Sequence, residues 1–138
     1  MIQLIYVSSA VNQMSEAELL ELLEQARSRN QKQQITGMLL YADGNFFQVL
    51  EGERKDVEEI YEDIVKDKRN HGNIVIEKEE ISERTFPNWS MGFKYLAAIN
   101  KDEISGYTEF LEKEMTPEKI ANKASDVVSL LYSFRKSI

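Results

Sequence analysis

Residues 35–50 read ITGMLLYADGNFFQVL, and this stretch decides the fold. It holds two runs rich in aliphatic and aromatic residues, Ile35–Tyr41 and Phe46–Leu50, which are typical of strands. Between them lie Asp43 and Gly44, and Asp-Gly is a common hairpin turn because both residues tolerate a positive φ. The stretch therefore predicts a β-hairpin.

Gln48 is a polar residue inside the second strand of this hairpin. Alternation along a strand places Gln48 on the same face as Phe46 and Leu50. A buried amide without partners costs about 1–3 kcal/mol, so Gln48 lies either on a half-exposed edge strand or against specific partners. Its side chain has a donor end and an acceptor end, so a half-turn reverses its hydrogen bonding.

Further strands and helices flank the hairpin. The start of the first helix is marked by Ser15 and Glu18, which match a capping box. Apolar residues recur at helical or alternating spacing in the remaining segments. The predicted elements are strands Ile2–Ser8, Asn73–Ile81 and Trp89–Leu96, a helix from Ser15 to about Asn30, and a helix from about Lys55 to Asp67.

The order of these elements, β-α-β-β-α-β followed by a fifth strand, predicts an α+β protein with the ferredoxin-like arrangement. We expect a mixed sheet with both helices on one face and the first and third strands side by side at its centre. Gln48 would then lie under the helices and near Tyr6. Many unrelated activities use this fold, so it does not define the function.

The C-terminal part, residues 98–138, is predicted to be helical. Its last helix carries an apolar stripe at helical spacing, formed by Ile120, Ala124, Val127, Leu131 and Phe134. We therefore expect two domains: residues 1–97, and a two-helix extension of residues 98–138 that packs on the sheet or at an oligomer interface.

Composition excludes several functional classes. The 138 residues include no cysteine, which excludes disulfides, thiolate metal sites and cysteine nucleophiles, and a single histidine argues against a histidine metal cluster. The net charge is −7 and the basic residues are dispersed, so no nucleic-acid partner is expected. Neither a membrane-length apolar run nor a signal peptide is present, so we expect a cytoplasmic protein without membrane contact.

Several residues form a specific combination: Tyr6, Asn30, Gln48 and the triplet Trp89-Ser90-Met91. Each has an ordinary structural explanation in isolation; Tyr6, for example, could be a core tyrosine. Together with Ile35-Thr36-Gly37, Phe46-Phe47-Gln48-Val49-Leu50-Glu51-Gly52 and Arg84-Thr85-Phe86-Pro87-Asn88, the combination resembles the BLUF family of bacterial blue-light sensors that use FAD. The resemblance covers about residues 1–97.

The resemblance implies noncovalent FAD, with its ring between the two helices. Asn30 would hydrogen-bond the ring's polar edge, and Gln48 would bridge the flavin and Tyr6. Tyr6 would give an electron and a proton to the excited flavin, and their return would leave Gln48 rotated or tautomerised. Trp89 and Met91 would exchange places or repack as the signal leaves the site. The remaining cofactor-binding residues would be Leu22, Phe46, Leu50 and Ile64 around the ring and Arg69 near the polar tail.

The chain departs from the family at two positions beside the cofactor. Arg29 precedes Asn30 where some relatives have histidine, and Asn70 follows Arg69 where relatives often have histidine. These departures concern contacts at the periphery of the cofactor more than the photochemistry.

The resemblance also implies a photoreceptor and not an enzyme. Its output would pass through a downstream signalling protein or a change of homo-oligomer. Two alternatives stay open: a light-independent ferredoxin-like interaction module, and an acylphosphatase-like enzyme that binds phosphate through Arg69 and Asn30.

Overall fold

The strands and helices follow one another in the predicted order. The computed structural model of the protein describes residues 1–42, 44–87 and 91–95. Its elements are β1 (Ile2–Ala10), α1 (Glu16–Lys32), β2 (Thr36–Ala42), β3 (Asn45–Gly52), α2 (Arg54–Lys66), β4 (Asn70–Glu80) and β5 (Gly92–Tyr95). Trp89, the expected strand end at Leu96 and the predicted extension of residues 98–138 lie outside the described residues.

The strands form one sheet in the order β4-β1-β3-β2-β5. β1 is antiparallel to both β3 and β4, whereas β2 is antiparallel to β3 and parallel to β5. This is the ferredoxin-like arrangement with a fifth strand at one edge. The prediction that β1 and β3 are central neighbours is confirmed, and their register pairs Tyr6 with Gln48.

Both helices pack on the sheet face that carries Tyr6. The capping box at the start of α1 is present: the Glu18 amide donates to Ser15 Oγ, and the Ser15 amide donates to Glu18 Oε1. Burying apolar side chains between helices and sheet is the main stabilising contribution to such a layer. The core includes Leu19 and Leu23 of α1, Val57 and Ile60 of α2, and Leu4, Leu39 and Leu50 of the sheet. Neither helix in the described part of the chain is long and apolar enough to cross a lipid bilayer.

Gly37 allows β2 to approach β3 closely. Its φ is +155°, and a Cβ at this position would lie 1.9 Å from the carbonyl oxygen of Val49. No side chain fits there without displacing backbone, which explains the glycine in the sequence Ile35-Thr36-Gly37.

The other face of the sheet contains a buried carboxylate, that of Glu51. Glu51 Oε2 accepts hydrogen bonds from Gln3 Nε2 and from the amide of Thr85, each at 2.9 Å, and Oε1 accepts from the amide of Phe86 at 2.7 Å. Arg84 Nη1 donates to the Glu51 backbone carbonyl at 2.8 Å. We call these residues the Glu51 cluster; it fixes the segment after β4 against β3.

Some predicted boundaries were wrong. α1 ends at Lys32, close to the predicted end near Asn30, and Gln34 adopts a left-handed backbone (φ 54°) after the helix. β1 continues to Ala10, and β4 begins at Asn70 and not at Asn73. The residues added to β4, Asn70, His71 and Gly72, include no large apolar side chain, and a strand at the sheet edge needs no continuous apolar face, so composition did not indicate this pairing. β5 is described from Gly92 to Tyr95, and its predicted start at Trp89 lies outside the described residues.

Candidate functional site

A cleft opens between the two helices above the central strands. It contains about 660 Å³ of empty space, a volume that includes solvent at its open side. One part of its wall is apolar and is formed by Leu22, Ala26, Leu39, Phe46 and Ile64. The polar part is formed by Tyr6, Gln25, Arg29, Gln48, Asp67, Arg69 and Asn70.

Tyr6 and Gln48 lie side by side in this cleft. They are register partners in β1 and β3, so their side chains share a face, and Tyr6 Oη donates to Gln48 Oε1 at 2.5 Å. The two residues are 3% and 4% exposed, respectively. Gln48 is therefore buried and partnered, and its placement on a half-exposed edge strand is wrong. Burial raises the pKa of Tyr6 well above its usual range, and the nearby Tyr61 raises it further. The phenol consequently keeps its proton at neutral pH.

Met91 contacts the other end of the same amide. Gln48 Nε2 donates to Met91 Sδ at 3.3 Å, and Met91 is buried immediately before β5. A thioether sulfur is a weak acceptor. Gln48 is thus held firmly at its oxygen and loosely at its nitrogen, an arrangement in which the nitrogen can change partner at low cost.

The polar rim of the cleft carries two arginines. Arg69 Nη2 lies 2.6 Å from Asp67 Oδ2, and Arg69 Nη1 donates to Gln25 Oε1 at 3.2 Å, so Arg69 links α1 to the segment after α2. Hydrogen bonds from Arg69 lower the pKa of Asp67. Nε of Arg29 is buried and has no hydrogen-bond partner within the described residues. The rim therefore offers positive charge and donor capacity to a polar group.

Most of the predicted cofactor-binding residues line this cleft, but two do not. The cleft brings together Tyr6, Leu22, Phe46, Gln48, Ile64 and Arg69. Asn30 and Leu50 are fully buried and lie outside the cleft lining. The backbone carbonyl of Asn30 accepts from the amides of Gln33 and Ile35 near the end of α1, and Leu50 packs in the core. Trp89 lies outside the described residues.

Four cleft residues were not predicted: Gln25, Ala26, Leu39 and Asp67. Arg29 and Asn70, which were expected at the periphery of the cofactor, also line the cleft. A signal for one of the four exists in the sequence. Ala26 follows Leu22 by four residues, so the two lie on the same side of α1.

The sequence of the chain is similar to those of known light-responsive proteins. The sequence model of one family, described as "BLUF: Sensors of blue-light using FAD", matches residues 1–92. The photoactivated adenylate cyclase subunit beta of Euglena longa is 35% identical over 89 residues, which cover 64% of this chain and 10% of that protein. The blue light- and temperature-regulated antirepressor BluF of Escherichia coli (strain K12) is 29% identical over 101 residues, covering 73% and 25% of the two chains.

A solved structure matches nearly the whole chain. The dark-state structure of BlrB, a BLUF protein, superimposes with a TM-score of 0.79 and 27% identity, covering 99% of this chain and 96% of BlrB. In contrast, the matched segment spans only a tenth to a quarter of the length of the two curated relatives.

Proposed function

The chain belongs to the BLUF family of FAD-binding blue-light sensors, and from this premise we propose that it is a photoreceptor whose switch is the chain of contacts Tyr6–Gln48–Met91. The observation that carries the proposal is the hydrogen bonding of Gln48. Its oxygen accepts from a buried, protonated phenol, and its nitrogen donates to a weak acceptor. This arrangement suits a residue that must change partners.

The residues of the cleft fit FAD. Leu22, Phe46 and Ile64 provide apolar surface for a flat ring, and the rim supplies Arg29 and Arg69 for polar groups. The unpartnered Nε of Arg29 is a donor that such a group would satisfy. When bound, FAD supplies absorption of blue light and, in its excited state, an acceptor for an electron and a proton. The resemblance assigns Asn30 to the polar edge of the ring and Leu50 to its apolar surroundings, and we retain both roles as proposals.

Tyr6 is the residue that we propose to lose the electron. A phenol that loses an electron becomes strongly acidic, so the proton of Tyr6 would leave along its existing hydrogen bond to Gln48 Oε1, with bound FAD as the final acceptor of both the electron and a proton. Until then, burial keeps the phenol protonated. The structure thus holds the proton beside an acceptor before any light is absorbed.

Gln48 then changes its orientation or its tautomer. Once Tyr6 has lost its proton, its oxygen can only accept a hydrogen bond, so the Nε2 end of Gln48 becomes its better partner. A half-turn of the amide brings this end to Tyr6 and places Oε1 toward Met91, whose sulfur has no hydrogen to donate. The Gln48–Met91 contact is lost, so Met91 and the start of β5 lose one of the bonds that hold them to the central sheet. The electron and proton return to Tyr6, and the altered amide is the lasting difference.

The output of this switch is proposed to pass through a partner protein or a change of homo-oligomer. The Euglena longa relative is named an adenylate cyclase subunit and the Escherichia coli relative an antirepressor, so relatives of this sensor serve different effectors. A light signal read by any of them is a shift between two populated arrangements. Light must therefore change their relative free energies by a few kcal/mol.

The contacts of Arg69 favour the sensor over the acylphosphatase-like alternative. That enzyme would need Arg69 and Asn30 together on a phosphate. The guanidinium of Arg69 is bonded to Asp67, and Asn30 does not line the cleft. The light response of the FAD-loaded protein distinguishes the sensor from a light-independent interaction module.

Two substitutions and a control test the proposed switch. Gln48→Leu should retain FAD but lose the reversible red shift of the flavin absorption band, because no amide remains to rearrange. Tyr6→Phe should block the normal photocycle, because the donor hydroxyl is removed. Tyr41→Phe is the matched control: Tyr41 is a buried tyrosine on β2 whose hydroxyl contacts Gln13 and the Met14 amide, and it should cycle normally.

Each other outcome has a definite meaning. An unchanged photocycle in Tyr6→Phe would contradict the donor role of Tyr6. A wild-type protein that binds FAD but shows no light response would support the light-independent module. A protein that cannot be loaded with FAD would overturn the proposal.

A further inference from the structure

Met91 is held by a second element besides the central sheet. Arg27 of α1 donates from its Nε to the backbone carbonyl of Met91 at 2.9 Å, while the sulfur of Met91 accepts from Gln48 at 3.3 Å. The backbone of Met91 is thus bonded to a helix, and its side chain is bonded to the proposed switch residue.

These bonds connect the inside of the protein to its surface. Tyr6, Gln48 and Met91 are each at most 4% exposed, whereas Arg27 is an exposed residue of α1. A continuous series of contacts therefore runs from Tyr6 on β1, through Gln48 on β3 and Met91 before β5, to the outer part of a helix. Hydrogen bonds in such a series influence one another because each fixes the position of the next donor or acceptor.

The bond to Arg27 matters because β5 is an edge strand. In the described part of the chain, β5 is four residues long and pairs with β2 alone. Earlier in the connection between β4 and β5, the Glu51 cluster fixes Thr85 and Phe86. The connection between β4 and β5 is therefore held at Thr85 and Phe86 by the Glu51 cluster and at Met91 by Arg27.

We propose that Arg27 is a positioning residue that stabilises the resting Gln48–Met91 contact by bonding the Met91 carbonyl; this inference rests on the proposed function. A hydrogen bond from a charged donor is stronger than a neutral one. Removing it leaves Met91 held less closely to α1, so the arrangement with Met91 on Gln48 loses stability relative to the light-altered arrangement.

The test is the rate of dark recovery after a pulse of blue light, measured on the FAD-loaded protein. Arg27→Met keeps an unbranched side chain but removes every donor, and Arg27→Lys keeps the charge but has no donor at the Nε position. Both should recover about three- to tenfold more slowly than wild type, the effect of losing one partly exposed hydrogen bond, with the amplitude of the red shift retained. Lys32→Gln removes an equal charge from an exposed position on the same helix and should recover at the wild-type rate.

The possible results separate this inference from the proposed function. A wild-type protein without a red shift overturns both. A normal wild-type cycle combined with wild-type recovery in Arg27→Lys overturns the role of Arg27 and leaves the proposed function intact. If Arg27→Met does not hold FAD, Arg27→Lys decides alone. Slow recovery at unchanged thermal stability supports positioning, because a merely structural loss would lower the melting temperature without changing the photocycle.

Discussion

Replacing Glu51 by alanine should destabilise the protein more than any other single carboxylate removal in the described part of the chain. The carboxylate of Glu51 is fully buried and accepts three hydrogen bonds, from Gln3 Nε2 and from the amides of Thr85 and Phe86. Glu51→Ala removes the acceptor and leaves these three donors in a buried site.

The magnitude follows from these contacts. A hydrogen bond to a charged group contributes about 1.5–3 kcal/mol, so the simple sum of three is about 4.5–9 kcal/mol. Relaxation and entry of water offset part of this, and removing one partner of a buried charged interaction costs about 3–5 kcal/mol. We therefore expect the free energy of unfolding to fall by about 3–5 kcal/mol, a large share of the roughly 5–15 kcal/mol of a typical domain.

Urea denaturation followed by far-UV circular dichroism measures this change. The midpoint for Glu51→Ala should fall by about 2 M. Glu53→Ala is the matched control, because Glu53 is exposed at the start of α2 and makes no side-chain capping bond; its effect should stay below about 1 kcal/mol. Equal stability of the two variants would refute the structural role of the Glu51 cluster.

Three further predictions concern the sheet, the rim of the cleft and the switch. Gly37→Ala should prevent folding or lower stability by more than about 3 kcal/mol, because a Cβ would overlap the backbone of β3; soluble yield and thermal unfolding show this. The pKa of Asp67 is lowered by Arg69, so their pair stabilises the fold above about pH 4 and ceases to do so as pH falls through the lowered pKa. In Asp67→Asn, the urea midpoint should therefore depend less on pH between pH 5 and pH 2 than it does in wild type. Met91→Leu keeps the side-chain volume but removes the acceptor of Gln48 Nε2, so stability should change by less than about 1.5 kcal/mol. Its dark recovery should become slower, and recovery at the wild-type rate would argue against the Gln48–Met91 contact.

Much of the fold could be predicted because it depends on local periodicity. The Asp-Gly turn and the alternation in β3 indicated the hairpin, and the order of strands and helices placed β3 beside β1. This order predicts that Tyr6 lies near Gln48, and the register of the central antiparallel pair makes the two direct partners.

The remaining features depend on long side chains that reach distant backbone. Arg27 and Met91 are 64 positions apart, and Glu51 and Phe86 are 35 apart. No periodicity of a strand or helix relates residues at such separations. The start of β4 was missed for a related reason: residues of an edge strand can be polar and still pair through their backbone.

The most direct measurement is the light-minus-dark absorption spectrum of the FAD-loaded wild-type protein. Rearrangement of Gln48 beside the cofactor predicts a red shift of the flavin band under blue light and its return in the dark. A protein that holds FAD in this cleft but gives no reversible shift would contradict the proposed switch.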